Sequence, residues 1–237
     1  METYNSKVLL SSWYENRLEE AEKRAKLEAA ESSMGAYLAK KEAVLRDTQL
    51  QRSSEENPSH GDVLLVANHF NRARVLVCNP LDSASSVASV SEDTAKAARA
   101  CFVLERKEGA GPVRYGDIVM FRPLPELAAV FPALADAVLY KDGEDIVLGK
   151  PDTRSASFFR VVYPDPVLSL DHEDTPVAWS APFTLHHVMS GRLVRCSDTQ
   201  RYNDLGAVQW CLDLRTKDSL DQFKRPTARC YMTLEYK

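Results

Sequence analysis

The spacing of apolar and polar residues changes near residue 53, and this change divides the chain into two parts. In the first part apolar residues are sparse, and residues 15–26 read ENRLEEAEKRAK, with eight charged residues in twelve. Three glutamates there stand four positions before a lysine or arginine, the order that stabilises an α-helix. We therefore predict an N-terminal helical extension over residues 1–52, built as one or two helices with an interruption at Gly35.

The extension carries too few apolar residues to be stable alone. A thin apolar stripe buries little area, so such a helix gains stability by docking on another surface. Two interpretations stay open: a solvated helix on its own domain, and a segment that lies on a partner protein. The front of the extension, from Val8 to Tyr14, is apolar enough to require burial.

After the linker SSEENPS at residues 53–59, apolar residues follow the pattern of β-strands. Short runs rich in β-branched and aromatic residues alternate with Gly, Pro, Asn and Asp. About twelve such runs favour a mainly β domain over residues 53–237, folded as a barrel or sandwich. The runs span residues 61–68, 74–79, 101–106, 116–122, 137–142, 145–149, 157–163, 166–170, 182–189, 192–197, 206–214 and 230–236.

Two inserts interrupt the strand pattern. Residues 81–100 are rich in serine and alanine, and we expect a short helix there, capped by Ser91. Residues 122–137 contain three prolines and predict a helical or looped excursion. We expect residues 82–98 and 124–135 to form contact surfaces outside the main fold.

A short local repeat marks the β region. Gly61-Asp62 and Gly116-Asp117 each precede an apolar strand, and Gly-Asp is a turn sequence. A looser third copy begins at Ala181, so the copies start about 55 and 65 residues apart. Three copies of a few strands each predict a closed threefold β architecture, because closure removes exposed sheet edges.

Two adjacent histidines stand in the run PFTLHHVM at residues 182–189. Side chains alternate between the two faces of a strand, so His186 and His187 point apart and cannot ligate one metal together. His187 shares its face with Phe, Leu and Met, and we predict a neutral core imidazole with one hydrogen bond. Ser190-Gly191 is a turn sequence, so residues 192–197 are expected to return as a hairpin partner.

Composition excludes several classes of protein. The 30 basic and 34 acidic residues give a net charge of −4, which offers no surface for nucleic acid. No run of about 18 apolar residues spans a membrane, and the start lacks the apolar core of a signal peptide. The five cysteines include no CxxC pair, so we expect reduced, buried thiols in a cytosolic compartment.

Candidate chemistry is weak throughout the chain. The stretch GAGPVRYG at residues 109–116 lacks the spacing of a phosphate loop and predicts a hairpin loop. Residues 171–174, DHED, could hold a cation, but an exposed turn is the simpler interpretation. A cysteine nucleophile paired with histidine stays an alternative. We therefore expect no enzyme, and no catalytic, cofactor or metal site.

The stretch LHHVMSGRLV at residues 185–194 resembles the hairpin of MIR modules, in which a histidine two positions after a leucine is followed by Ser/Thr-Gly. MIR modules are β-trefoils of protein mannosyltransferases and intracellular calcium-release channels. The Gly-Asp strand starts fit the same fold. This resemblance implies a β-trefoil-like domain whose role is binding or scaffolding.

The order of motifs along the whole chain is similar to that of the cilia- and flagella-associated protein 161 family. These motifs are Val8 through Trp13 and Glu15, then a charged helix, then HGDVLLVAN at residues 60–68 and VRYG at residues 113–116. The resemblance implies a structural microtubule inner protein, located in the cytoplasm and cytoskeleton, in the lumen of axonemal doublet microtubules of cilia and flagella. Its implied partners are tubulin and neighbouring inner proteins, with no nucleic acid and no membrane.

We expect Val8–Tyr14 to form an apolar anchor and Glu15–Arg46 to form a docking helix on a partner. The predicted partner contacts are Val8, Leu9, Leu10, Trp13, Tyr14, Arg17 and Leu18. An alternative from another class is a cytosolic β-trefoil that binds carbohydrate. That alternative requires an exposed aromatic side chain flanked by Asp or Asn on the β domain.

Overall fold

The computed structural model describes residues 6–72, 74–81, 87–92, 97–202, 208–214, 219–221 and 225–236. The chain divides into two compact units, Met1–Glu42 and Ala43–Lys237. None of the described helices is long and apolar enough to span a lipid bilayer.

Helix α1 runs from Ser6 to Leu45 and is 40 residues long, so it supplies the described part of the first unit, and its last three residues belong to the second. The helical extension predicted from the charge pattern is confirmed, but the interruption predicted at Gly35 is wrong, since the helix continues through it. A glycine costs a helix interior roughly 1 kcal/mol relative to alanine. That cost is small for a helix of 40 residues.

The second unit contains a short helix, α2 (Pro125–Val130), and strands that include most of the predicted runs. The described strands are β1 (Val63–Asn68), β2 (Val75–Val77), β3 (Ser89–Ser91), β4 (Cys101–Arg106), β5 (Ile118–Pro123), β6 (Val138–Asp142), β7 (Asp145–Gly149), β8 (Phe159–Val162), β9 (Phe183–His187), β10 (Arg195–Tyr202), β11 (Val208–Asp213) and β12 (Tyr231–Glu235).

Six strands close an antiparallel barrel. Strand β1 pairs with β4, β4 with β5, β5 with β8, β8 with β9 and β9 with β12. Strand β12 then returns to β1, aligning Glu235 with Leu65 and Met232 with Asn68. Each of these strands has a neighbour on both sides, so closure leaves no open sheet edge in the barrel. The predicted mainly β, closed body is confirmed.

The other six strands form three antiparallel hairpins, β2–β3, β6–β7 and β10–β11. Strand β11 also pairs with β3 and, through Asp213 and Asp145, with β7. Each hairpin lies in sequence between two barrel strands. The unit is therefore built from three successive groups of four strands, β1–β4, β5–β8 and β9–β12.

The same turn precedes the first strand of each group. Gly61, Gly116 and Ser180 have positive φ angles of 89°, 98° and 60°. Only glycine adopts such angles without steric cost, which explains the repeated Gly-Asp sequence. The amide nitrogens of these three residues donate, over 2.8, 2.7 and 3.0 Å, to the carbonyl oxygens of Leu104, Val161 and Leu234.

Three buried residues connect the turns to one another. Val113 donates its amide proton to the carbonyl oxygen of Pro58, and Val177 donates to the carbonyl oxygen of Val113, each over 2.8 Å. Each of the three residues stands three positions before a positive-φ residue. Proline has no amide proton, so Pro58 cannot donate in the same way. The three copies of the turn predicted from the Gly-Asp repeat are therefore joined at the centre of the fold.

A carboxylate stabilises each of the first two turns. Asp62 accepts hydrogen bonds from the amide of Ser59 at 2.7 Å and from the amide and hydroxyl of Ser53 at 2.8 and 2.7 Å. Asp117 accepts from the amide of Arg114 at 2.7 Å with the same three-residue spacing. The residues predicted as a linker are thus tied to the barrel at Asp62.

One predicted strand is wrong, and so is the helix cap predicted at Ser91. Residues 166–170 form turns, because the flanking prolines cannot donate to a sheet. Ser91 ends strand β3 where we expected it to cap a helix. Residues 93–96 lie outside the described part, and the 3₁₀ turn Ala98–Ala100 that follows has no side-chain cap.

The two inserts also differ in how they pack. The described part of residues 82–98 is largely buried, with Ala88, Val90 and Ala98 at most 4% exposed, so the expected outer contact surface is wrong there. The second insert is helical, as predicted, and forms α2 and the 3₁₀ turn Pro132–Leu134. Its inner side chains are Leu124, Leu127 and Leu134, and most of its other residues face outward.

The barrel interior is filled by side chains. Phe102, Phe121 and Phe183 are at most 2% exposed. A cavity of about 30 Å³ lies between Phe121, Phe159 and other apolar residues of the barrel, which is enough for one water molecule. The inside of the barrel is therefore a packed core, and ligand or partner contacts have to use the outer surface.

Candidate partner-binding surfaces

The residues predicted to contact a partner all lie on helix α1. Arg17 and Leu18 are exposed, Leu18 to 50%. The side chains of the others, Val8, Leu9, Leu10, Trp13 and Tyr14, lie outside the described residues. Their contacts remain a prediction.

A second set of apolar residues forms a row along the same helix. Leu27, Met34 and Leu38 are 63%, 59% and 55% exposed. They are spaced seven and four positions apart, about two turns and one turn, so they share one side of the helix. Leu18 precedes Leu27 by nine positions, about two and a half turns, and faces the opposite side. We call Leu27, Met34 and Leu38 the helix row.

The β unit carries a cleft of about 590 Å³ on its third group of strands. The walls come from the β8–β9 connection, from the β9–β10 turn and from Ser219, Leu220 and Pro226. Asp165 sets the shape of the first wall, because its side chain accepts the amide of Val167 at 2.9 Å. Gly191 sets the second, since its φ of 65° allows the tight turn after β9.

The cleft offers several hydrogen-bonding groups, of which His186 has lowered basicity. Nε2 of His186 lies 3.3 Å from the hydroxyl of Thr184. Burial, and then the nearby charge of Arg160, hold the pKa of His186 below its usual range. Tyr163 forms part of the wall and stacks on His172 with ring centroids 3.9 Å apart. At neutral pH the cleft therefore presents a neutral imidazole, hydroxyl groups, an aromatic ring and the charged guanidinium of Arg192.

Apolar side chains are exposed on the same loops that form the cleft. Those on the β8–β9 connection are the most numerous, and large exposed patches mark interaction surfaces. The exposed side chains are Val167 at 76%, Leu168 at 42%, Leu170 at 79%, Met189 at 68% and Leu220 at 46%. We call these residues the cleft rim. Together with the cleft, they make this the part of the β unit best suited to receive a partner.

The other histidine of the pair is part of the core. His187 is 2% exposed, and its ring nitrogens lie 2.9 Å from the hydroxyl of Ser190 and 3.2 Å from the carbonyl oxygen of Ala156. Burial lowers the pKa of His187, and the Ala156 bond opposes this shift. The predicted core imidazole is confirmed, with two hydrogen-bond partners where one was predicted.

An exposed aromatic corner lies at the end of strand β1. Phe70 is 65% exposed and meets Tyr231 edge-to-face, with ring centroids 5.3 Å apart. The next residue is Asn71. Arg74 donates to Glu92 at 2.8 Å and lies 4.0 Å from the centre of the Trp210 ring. This corner combines the exposed aromatic and the asparagine that the carbohydrate-binding alternative requires.

All five cysteines are buried as free thiols, as the sequence predicts. Burial raises the pKa of Cys101 and of Cys196 to about 12, and it also raises the pKa of Cys78 and Cys230. At neutral pH these four groups are thiols, whereas the nucleophilic form is the thiolate. The four are therefore poorly suited to covalent catalysis.

The remaining sequence motifs are turns and loops. Residues 171–174 form a largely exposed turn, and residues 109–116 lie in the loop between β4 and β5, both as predicted. Within the described ranges, no three His, Cys, Asp or Glu side chains are grouped to hold a metal ion.

Sequence reasoning missed the cleft rim and the Phe70 corner as surfaces. It assigned the apolar residues of 166–170 to a strand, although Pro164, Asp165 and Pro166 are turn residues. It expected Glu15–Arg46 to dock on a partner, but it did not single out Leu27, Met34 and Leu38 as the exposed row on that helix. Seven- and eleven-residue spacing was the signal that points to the helix row.

No protein family and no characterised protein matches the sequence. Solved structures do match the fold. A Caenorhabditis elegans protein of unknown function superposes with a TM-score of 0.55 at 12% identity, over 78% of this chain and 99% of that chain. The SDF2-like protein from Arabidopsis thaliana superposes with a TM-score of 0.52 at 8% identity, over 75% and 94%.

A third match is the S. cerevisiae protein O-mannosyltransferase Pmt1–Pmt2 complex bound to the sugar donor, with a TM-score of 0.53 at 11% identity. It covers 83% of this chain and 27% of that chain. At such identities the likeness concerns the fold alone. Fold and comparisons together define a mainly β protein with a closed antiparallel barrel and an N-terminal helix, consistent with a MIR-like fold.

Proposed function

We propose that this chain is a structural protein with a MIR-like β-trefoil, which binds in the lumen of axonemal doublet microtubules and stabilises them for ciliary and flagellar motility. Its partners are tubulin and neighbouring microtubule inner proteins. The role is scaffolding and not enzymatic. The motif order shared with the cilia- and flagella-associated protein 161 family supports this proposal.

The trefoil assignment is supported by the three groups of four strands and by the turns that begin each group. The hydrogen bonds that link Pro58, Val113 and Val177 relate the three turns around one centre. The likeness to the SDF2-like protein and to the mannosyltransferase complex also favours this assignment.

The observation that carries the functional proposal is the helix row. Fully burying a leucine-sized side chain stabilises by roughly 1.5–3 kcal/mol. Each row residue has more than half of its surface exposed, so burial on a partner gains about 1 kcal/mol per residue. The three together contribute about 3 kcal/mol, a factor of about 100 in affinity.

The cleft rim supplies a second contact surface on the β unit. A luminal protein meets several neighbours at once, and two separate apolar surfaces suit such a position. Two contacts of moderate strength on one chain also raise the overall affinity through effective concentration. The expected result is a protein that stays with the doublet when membrane and soluble matrix are removed.

Detergent fractionation of flagella tests the proposal. A tagged copy is expressed in flagellated cells that lack the native protein, and the share that stays with the axonemes is measured. Wild type is expected to remain with the axonemes. A row variant with Leu27→Glu, Met34→Glu and Leu38→Glu is expected to move largely to the soluble fraction, since three charges cannot be buried without large cost.

A control variant carries the same three charges elsewhere. Ser32→Glu, Ser33→Glu and Ala36→Glu lie on the far side of the helix and are exposed in the free chain. The control variant is expected to remain with the axonemes. Wild type in the detergent-soluble fraction would contradict the proposal, and equal retention of both variants would remove the helix row from it.

Carbohydrate binding is the second candidate, and the Phe70 corner favours it. An exposed ring beside Asn71, Arg74 and Glu92 offers a stacking face with polar groups around it. A glycan array distinguishes the two functions. Binding of one glycan class that Phe70→Ala abolishes would support this candidate, and an array without signal would remove it.

A further inference from the structure

A pocket of about 210 Å³ lies on the β unit between residues 78–80, the 3₁₀ turn after α2 and the end of strand β7. Its walls are mostly apolar and include Phe131, Ala133, Leu134 and Leu148. None of the lining residues is charged. The pocket is far from the helix row in sequence and shares no lining residue with the cleft.

Asn79 is the polar residue that distinguishes this pocket. Asn79 is only 6% exposed, and neither Oδ1 nor Nδ2 of its side chain has a hydrogen-bond partner among the described residues. Buried amides are normally paired. Asn68 is equally buried, at 7% exposed, yet its amide bonds to four backbone groups, those of Phe70, Asn71, Ala228 and Tyr231.

We infer that the Asn79 pocket binds a neutral amide that carries a branched apolar group, supplied as a leucine-like residue of a partner segment. A carboxamide has an acceptor beside donors and therefore complements a peptide group, which has one of each. The uncharged walls favour a neutral ligand over a charged one. The volume of about 210 Å³ leaves room for a small branched group together with an amide.

Both amide atoms of Asn79 are covered in the free chain, so the pocket wall has to shift for the ligand to reach them, and the turn after α2 is part of that wall. In α2 the buried residue is Leu127, and in the following 3₁₀ turn it is Leu134. An element with so few buried side chains opens at low cost. This inference does not rest on the proposed function, since the pocket can receive such a segment from any partner.

The test uses isovaleramide, a small probe that combines a leucine-like group with a carboxamide, and isovalerate as the matched charged control. Binding to the full chain is followed by NMR through the side-chain amide of Asn79 and the methyl groups of Leu134 and Leu148. Saturable shifts are expected at the millimolar concentrations typical of so small a ligand. Isovalerate is expected to bind at least about tenfold more weakly, the loss of one hydrogen bond.

Two variants decide between a binding role and a structural role. Asn79→Leu keeps the size of the side chain and removes its hydrogen-bonding groups, so it is expected to abolish probe binding while Tm stays the same or rises. Ala133→Phe narrows the pocket at an exposed position and is expected to abolish binding with Tm unchanged.

Three results would overturn the inference. The first is a wild-type protein whose Asn79, Leu134 and Leu148 signals do not respond to isovaleramide. The second is probe binding that survives in either variant, which would place the probe elsewhere. The third is a lower Tm for Asn79→Leu, which would mean that the amide stabilises the free protein.

Discussion

Replacing Asp62 by alanine removes the carboxylate that ties residues 53–59 to the first barrel strand. The carboxylate accepts three hydrogen bonds, one from the amide of Ser59 and two from Ser53. Asp62 and Ser59 are 3% and 7% exposed, whereas Ser53 is exposed. After the substitution water can reach Ser53, but the amide of Ser59 stays buried without its acceptor.

The expected loss of stability follows from how deeply each hydrogen-bonding group is buried. A hydrogen bond to a charged acceptor contributes about 1.5–3 kcal/mol when its partner is left buried and unpaired. We assign about 2–3 kcal/mol to the Ser59 bond and about 1 kcal/mol to the solvated Ser53 pair. Asp62→Ala is therefore expected to lower the free energy of unfolding of the β unit by about 3–4 kcal/mol.

Urea unfolding followed by near-ultraviolet circular dichroism measures this change. With an m-value of about 2–3 kcal/mol per molar for a unit of this size, the midpoint falls by about 1–2 M. Asp152→Ala is the matched control, because Asp152 is exposed and its loss is expected to change stability by less than about 0.5 kcal/mol. Equal midpoints for the two variants would refute the assignment of the carboxylate to the turn.

Four further substitutions test other parts of the fold. Gly61→Ala forces a side chain onto a φ of 89° and is expected to destabilise by about 1–2 kcal/mol. Gly35→Ala, in the helix interior, is expected to stabilise α1 by up to about 1 kcal/mol. Thermal melts measure both, and shifts of the same sign would contradict the reasoning. Burial raises the pKa of Cys196 to about 12. The unfolded chain therefore loses that proton first as pH rises above about 9, and stability falls by about 1.4 kcal/mol per pH unit for the thiol. Cys196→Ala is expected to make the urea midpoint fall less steeply with pH between about pH 9 and 11. An unchanged dependence of the midpoint on pH would refute the role of this thiol. Burial lowers the pKa of His187, so the unfolded chain alone takes up a proton as pH falls below about 6.5, and stability falls with it. His187→Phe is expected to reduce this loss of stability at acid pH. Stability that falls equally with pH in both proteins would contradict the assignment of the loss to His187.

The β body was predictable because its signals are local. Short β-branched runs separated by turn residues gave eleven of the twelve described strands at least in part. The Gly-Asp repeat identified two turns, since the required positive φ selects glycine. The third turn was less evident because Ser180 occupies the position without a glycine.

Contacts between distant segments could not be predicted in the same way. Strand β3 has three residues in a serine-rich stretch, and it is held by pairing with β2 and β11 rather than by its own propensity. The interruption at Gly35 was wrong because one glycine is a small cost in a helix that is 40 residues long.

The candidate surfaces were predictable only in part. The sequence indicated that helix α1 carries unburied apolar residues. The fold decides which of their side chains are exposed, so the sequence alone does not single out Leu27, Met34 and Leu38 as a row. The sequence does not reveal that the amide of Asn79 is unpaired. Asn68 is also an asparagine and is similarly buried, yet its side-chain amide is fully hydrogen-bonded.

The central claim is that this chain is a component of the doublet microtubule lumen. Cryo-electron microscopy of doublet microtubules, from flagella with and without the protein, tests it most directly. The account predicts a luminal density that fits the closed barrel, disappears on deletion and returns on re-expression. Identical luminal density in both samples would contradict the account.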